Sequence, residues 1–176
     1  MRKFPAHSHT EFDIFKKLDS SSKIQDFLDT LPVNFEQQGD TCFSPLMVLR
    51  EKKAHCIEGA LFAAAAFWHH GQRPLLLDLK TAKDDCDHVV ALFKQDNMWG
   101  AVSKTNHAVL RYRDPVYITV PELAMLYFNE YFLDNGKKTL QSFSAPFNLL
   151  GFEDNWLTSP DNLWGIANGL DVSPHH

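Results

Sequence analysis

From Cys56 to Trp68 the sequence reads CIEGALFAAAAFW, apolar on nearly every face of a helix instead of along one stripe. A helix of that kind must be buried on most sides, so the rest of the chain has to be arranged around it. Gly71 is a natural residue to follow its last turn, and Pro74 prevents continuation. The longest uninterrupted apolar run, ALFAAAAFW, has nine residues and is far too short to span a bilayer.

The segments before this helix read as a helical lead-in over residues 1–40. Thr10 is placed to cap EFDIFKKL, with Phe12, Phe15 and Leu18 on one side. Ser22 opens a capping-box pattern with Gln25, and Pro32 stops that second helix. Ser44-Pro45 supplies an N-cap followed by proline at the first helical position of PLMVLREKK. After the apolar helix, PLLLDL, DHVVALFK and MWGAVSK read as strands, the last two joined at Asp96-Asn97 as a hairpin. HAVLRYR reads as a further strand. Thr119-Val120-Pro121-Glu122 opens a helix that runs towards Asn135-Gly136. Residues 136–176 read as a wrap over the core, with one short helix at DNLWGIANGL. The sum predicts an α+β fold in a single domain over residues 1–176, its core at about 44–135, with a buried helix beginning at Cys56 packed on an antiparallel sheet.

Composition narrows the function. The net charge of −5 argues against broad electrostatic binding to nucleic acid or to an anionic membrane. The beginning of the chain lacks the apolar stretch of a secretory signal, and three cysteines without a pairing pattern fit reduced thiols in a cytoplasmic setting. The closing SPHH reads as a loose tail.

Cys56 lies where chemistry is possible. A thiol attacks as its thiolate, and a helix N-terminus favours the anion through its partial positive charge and unpaired N–H groups. The same N–H groups can receive an oxyanion. His55 and Lys53 could add positive charge nearby, although the His55 ring is expected to point elsewhere. The plain alternative is a packing thiol, since cysteine is often a small buried hydrophobe. A nucleophile also needs a proton carrier. His69 and His70 sit at the far end of the helix, about 20 Å away at 1.5 Å per residue. His107 and His88 remain, and His88 opens the apolar strand HVVALF. If Asp96-Asn97 is a two-residue turn, Val90 pairs with Ser103 and His88 with Thr105. The group that orients the imidazole is then Ser103, or Asn106 if the strand bulges.

A cysteine opening an alanine-rich helix, a strand beginning with histidine and a following strand bearing a tryptophan resemble the transglutaminase-like superfamily. The match covers residues 54–115, about a third of the chain, and AHCIEGALFAAAAF, DHVVALF and WGAVSKTNHAVLRYRDPVY are also similar to bacterial transglutaminase-like proteins. The resemblance implies a papain-like core and a bacterial thiol enzyme that cleaves or exchanges an amide bond of a peptide or protein through a thioester. It implies Cys56 as nucleophile and His88 as general base and acid, with Trp99 on the strand as a candidate substrate contact. The family places Asp four residues past the tryptophan, where this chain has Ser103; papain-like relatives use Asn, which keeps Asn106 in view. No cofactor or metal is implied. Hydrolysis is favoured over cross-linking, because nothing in the sequence suggests an amine-substrate or calcium site.

Two further readings stand beside the enzyme. One is a non-catalytic module of the same fold that holds a peptide or partner protein in the groove beside Cys56, motivated by Ser103 in place of Asp. The other is a metal site from Cys56, Cys86 and His88, for which no CxxC pair is present. The aromatic spacing in YFNEYF reads as core packing, and Arg111 and Arg113 read as a solvated strand edge.

Overall fold

The computed structural model describes residues 2–176. A short 3₁₀ turn over Thr10–Lys16 leads into α1 (Ser21–Thr30), α2 (Pro45–Glu51) and α3 (Cys56–His69). Six strands follow, broken by one long helix: β1 (Leu75–Thr81), β2 (His88–Gln95), β3 (Met98–Val102), β4 (Tyr112–Tyr117), α4 (Val120–Glu130), β5 (Leu140–Phe143), β6 (Phe147–Asn148) and then α5 (Trp164–Asp171). The strands form one antiparallel sheet in the order β4-β3-β2-β1-β5, with β6 sharing the β1 edge. The architecture is α+β.

The helix α3 is buried along its length, as its all-round apolar sequence demands, and lies against the sheet on the side of Leu76, Val89, Ala91, Phe93 and Val102. The opposite sheet face, with Leu77, Leu79, Val90, Leu92 and Ala101, is covered by Leu123, Ala124 and Tyr127 of α4. Asp96 and Asn97 both adopt left-handed φ, 50° and 64°, which gives the tight turn whose twist suits a hairpin and sets the pairing Gln95–Met98 through Ala91–Val102. One close approach fixes how α3 meets the end of β3. A Cβ on Gly59 would stand 2.3 Å from Cβ of Lys104, so only glycine permits the contact.

Several local expectations change. The first helix is 3₁₀ and begins at Thr10 without a side-chain cap, though Phe12, Phe15 and Leu18 are buried as its pattern requires. The cap of α1 is Ser20, not Ser22, because Ser20 Oγ accepts from Lys23 N–H, and Gln25 is buried for another purpose. The strand expected at HAVLRYR starts only at Tyr112; Ala108–Leu110 form a 3₁₀ turn. Helix α4 ends at Glu130, so Tyr131 and Phe132 lie beyond it. Arg113 is buried against the Tyr127 ring and paired with Glu130, and Arg111 pairs with Asp26 and Asp29, so neither is a free edge charge. The end of the chain is held: His176 exchanges backbone hydrogen bonds with Phe143, and His175 Nε2 meets Asp78 Oδ2 at 3.2 Å. Trp156 is buried in a stack on Trp68, which makes residues 149–170 part of the core around α3. No helix among the described residues is long and apolar enough to cross a membrane.

Candidate functional site

Cys56 is the first residue of α3 and is half-buried, whereas Cys42 is sealed in the core and Cys86 is exposed; all three are free thiols. Directly beneath it, Glu58 is fully buried in the first turn of the same helix. Its Oε1 accepts from Thr41 Oγ1 (2.7 Å) and Phe43 N–H (3.0 Å), and its Oε2 from His55 N–H (2.9 Å) and Asn34 Nδ2 (3.2 Å). A carboxylate here lies at the positive end of the helix and satisfies four donors, which makes its complete burial tolerable. It knots the loop over residues 34–43 to the start of α3.

His55 caps this helix and turns its ring inward, contrary to the expectation that it points away. Nε2 lies 3.0 Å from the Thr41 carbonyl oxygen, 3.3 Å from Glu36 Oε1 and 3.4 Å from Glu58 Oε1. Three acceptors around one nitrogen require that nitrogen to carry hydrogen. The ring stands in the same cleft as the Cys56 thiol and favours its anion.

His88 opens β2 and is buried. Its Nε2 lies 2.5 Å from Ser103 Oγ, and the ring shares the cleft of Cys56, where it favours the anionic sulfur. Ser103 follows β3 and is itself clamped: Gln25 of α1 accepts from its N–H (3.0 Å) and donates to its carbonyl (2.8 Å). The orienting partner of His88 is therefore Ser103. Asn106 lies three residues on, exposed in the loop after β3, where it lines the cleft instead of meeting the ring. Asp87 is turned away from His88, its Oδ1 accepting from Thr81 N–H at 2.7 Å.

The sulfur and both rings line an open cleft of about 390 Å³. Its walls include Cys86, Asn106, His107 and Tyr131, and exposed Phe35, Val109 and Phe132 stand at its margin. Trp99 is elsewhere. It sits near the hairpin end of β3 under the Lys94 ammonium, lining a separate hollow with Gln72 and Arg73, because four strand residues carry it about 13 Å from Ser103. Among the described residues, no three His, Cys, Asp or Glu side chains are grouped to hold a metal ion, so Cys56, Cys86 and His88 do not make the site considered from sequence.

The electrostatics separate the thiols sharply. Burial pushes the Cys42 thiol up to about 12, with the Glu58 charge adding to the rise. Burial also acts to raise Cys56, but hydrogen bonds from His55 and His88 and their positive charge overcome it and hold the thiol down at about 5. Burial would lower His55, yet the hydrogen bonds to Cys56 and Glu58 carry it up to about 11. Burial acts to raise Glu58, and the hydrogen bond and charge of His55 keep it well below the usual carboxylate range. The arrangement can present an anionic sulfur to a cleft, next to a ring held in one orientation and to the first-turn N–H groups of α3.

No protein-family model matches this chain, and no curated protein matches it. The contacts that three residues make in the site escape a reading of the sequence. His55 and Glu58 have the i, i+3 spacing of a capping box in HCIE, a signal masked by histidine at the cap position. Gln25 gives no such signal, since its partner lies 78 residues away.

Proposed function

We propose that the protein is a transglutaminase-like thiol enzyme with a papain-like core, which cleaves or exchanges an amide bond of a peptide or protein. Cys56 attacks the carbonyl carbon from the start of α3, and the oxyanion meets the first-turn N–H groups. The sulfur attacks as the thiolate, and His88 delivers the proton it has taken to the departing amine, leaving a thioester on Cys56. His88 then takes a proton from water, or from an acceptor amine, as it attacks the thioester, and the sulfur leaves as thiolate. Ser103 keeps the ring in place throughout.

One observation carries this reading: a half-buried sulfur at a helix start shares an open cleft with a histidine whose far nitrogen is pinned 2.5 Å from a buried hydroxyl. A sealed packing thiol would resemble Cys42 instead. Iodoacetamide at about pH 6, followed by peptide mass spectrometry, tests it through the thiolate fraction. Cys56 is expected to be modified far ahead of Cys86 and Cys42; equal rates at Cys56 and Cys86 would refute an activated sulfur. Incubation with a mixed peptide pool and hydroxylamine should then yield hydroxamates with the wild type and none with His88→Ala.

The hydroxyl of Ser103, where a carboxylate would orient the ring more strongly, favours a second reading, a module that binds a peptide without cutting it. That reading expects a folded Cys56→Ala protein to keep its full cellular function. The thiol enzyme expects the same protein to lose it.

A further inference from the structure

Two imidazoles share a cleft with one sulfur, and they are supported differently. Behind His88 stands only a neutral hydroxyl. Behind His55 stand the carboxylates of Glu36 and Glu58, with the Thr41 carbonyl between them. We infer that His55 is a positioning residue for the reaction proposed above: backed by Glu58 and Glu36, its ring stands as a fixed cation beside Cys56, so that His88 is free to carry the mobile proton. This rests on Cys56 being the nucleophile and adds a division of labour between the two rings.

The geometry supports a fixed charge over a shuttle. Nε2 of His55 faces three oxygens and is committed as a donor, so that nitrogen is not free to pass a proton to a substrate. The ring is mostly covered, with Glu58 entirely so, and a charge pair screened from water acts strongly on a neighbouring ion. His88 lines the same cleft, and the partner of its Nε2 is a hydroxyl, not a carboxylate. The lysines nearby do not compete. Lys104 directs its ammonium at the carbonyl oxygens of Leu28 (3.0 Å) and Leu31 (2.5 Å), and Lys53 lies over the Phe43 ring at 5.8 Å. Other titratable groups around this cluster are Cys42 from the core and, along the cleft, Asp85, Cys86 and Asp87 from the turn before β2, His107 after β3, Glu130 at the end of α4 and Tyr131 after it. Of these the carboxylates are acidic and disfavour a thiolate, which leaves His55 and His88 to hold it.

The experiment follows the rate of iodoacetamide reaction at Cys56 from about pH 4 to pH 10, a span that covers free and perturbed thiols. It uses the full chain as wild type, His55→Gln and His88→Ala. His55→Gln is expected to move the midpoint up by about one to three pH units, the range for loss of an adjacent opposite charge. His88→Ala is expected to move it less while abolishing hydroxamate formation. A midpoint that shifts less in His55→Gln than in His88→Ala overturns the inference. Cys42 monitors the fold, since it stays unmodified only while the core is closed. If it reacts in His55→Gln, Glu36→Gln at the rim of the cluster takes over the test: a raised midpoint supports the fixed cation, an unchanged one rejects it. A wild-type midpoint no lower than that of an ordinary thiol would instead defeat the thiol-enzyme reading, which the variants separate from this one.

Discussion

At the scale of single residues, stability and protonation are linked through the same cluster. Cys56 is depressed from an ordinary 9.0 to about 5, so it stabilises the fold fully above 9.0 and loses that contribution as pH falls through 5. His55 is raised from 6.5 to about 11, so its contribution is complete below 6.5 and disappears as pH climbs through 11. Between 6.5 and 9.0 the two slopes oppose each other and largely cancel. Replacing Cys56 by alanine removes the rising slope and leaves a shallower falling one, because the Cys56 interaction that raises His55 is lost while the hydrogen bond and charge of Glu58 remain. Urea midpoints measured at about pH 6 and about pH 9 should therefore differ little for the wild type. For Cys56→Ala the midpoint at the higher pH should be clearly lower. A variant whose midpoint rises with pH would contradict the assignment of these charges.

At the scale of elements, the site depends on how near α3 can come to the end of β3. An alanine at Gly59 would put its Cβ 2.3 Å from Lys104 Cβ and 3.2 Å from Lys104 Cγ, forcing helix and strand apart. Gly59→Ala is expected to cost about 1–3 kcal/mol in urea unfolding, the usual range for overpacking. It should also slow alkylation of Cys56, since Ser103 adjoins Lys104 and sets the His88 ring. Most of these elements were legible beforehand. Ser44-Pro45, Asp96-Asn97, Thr119-Pro121 and Gly71 are local signals that act within one turn, and α2, the hairpin, the start of α4 and the end of α3 fall where they indicate. The hairpin register ends at Ala91–Val102, short of the expected Val90–Ser103 pair, because Gln25 takes both backbone groups of Ser103; the hydroxyl of Ser103 still reaches His88 just past the last pair. What stayed hidden is long-range or weakly patterned. β5 and β6 are four and two residues long and exist because β1 offers an edge. The inward ring of His55 depends on Glu36, Thr41 and Glu58 converging from separate segments.

At the scale of the whole molecule, both ends of the chain are tied into the body. The last residues bridge to β5 through the two Phe143–His176 backbone bonds and an Ala145–Pro174 bond, and His175 covers Asp78. Deleting Pro174–His176 removes the four hydrogen bonds that reach Phe143, Ala145 and Asp78, worth together about 4 kcal/mol at the usual net value of about 1 kcal/mol each. Thermal unfolding should shift down by about 5–15 °C for a chain of this size. A truncated protein that melts with the full-length chain would show these contacts to be idle. The other end matters differently. Gln25 grips both backbone groups of Ser103, so helix α1 fixes the hydroxyl that stands behind the His88 ring. Anyone trimming this protein to the segment between residues 44 and 135 would keep the sulfur and the imidazole yet discard the hand that steadies them. A functional miniature of this fold must therefore carry its beginning along.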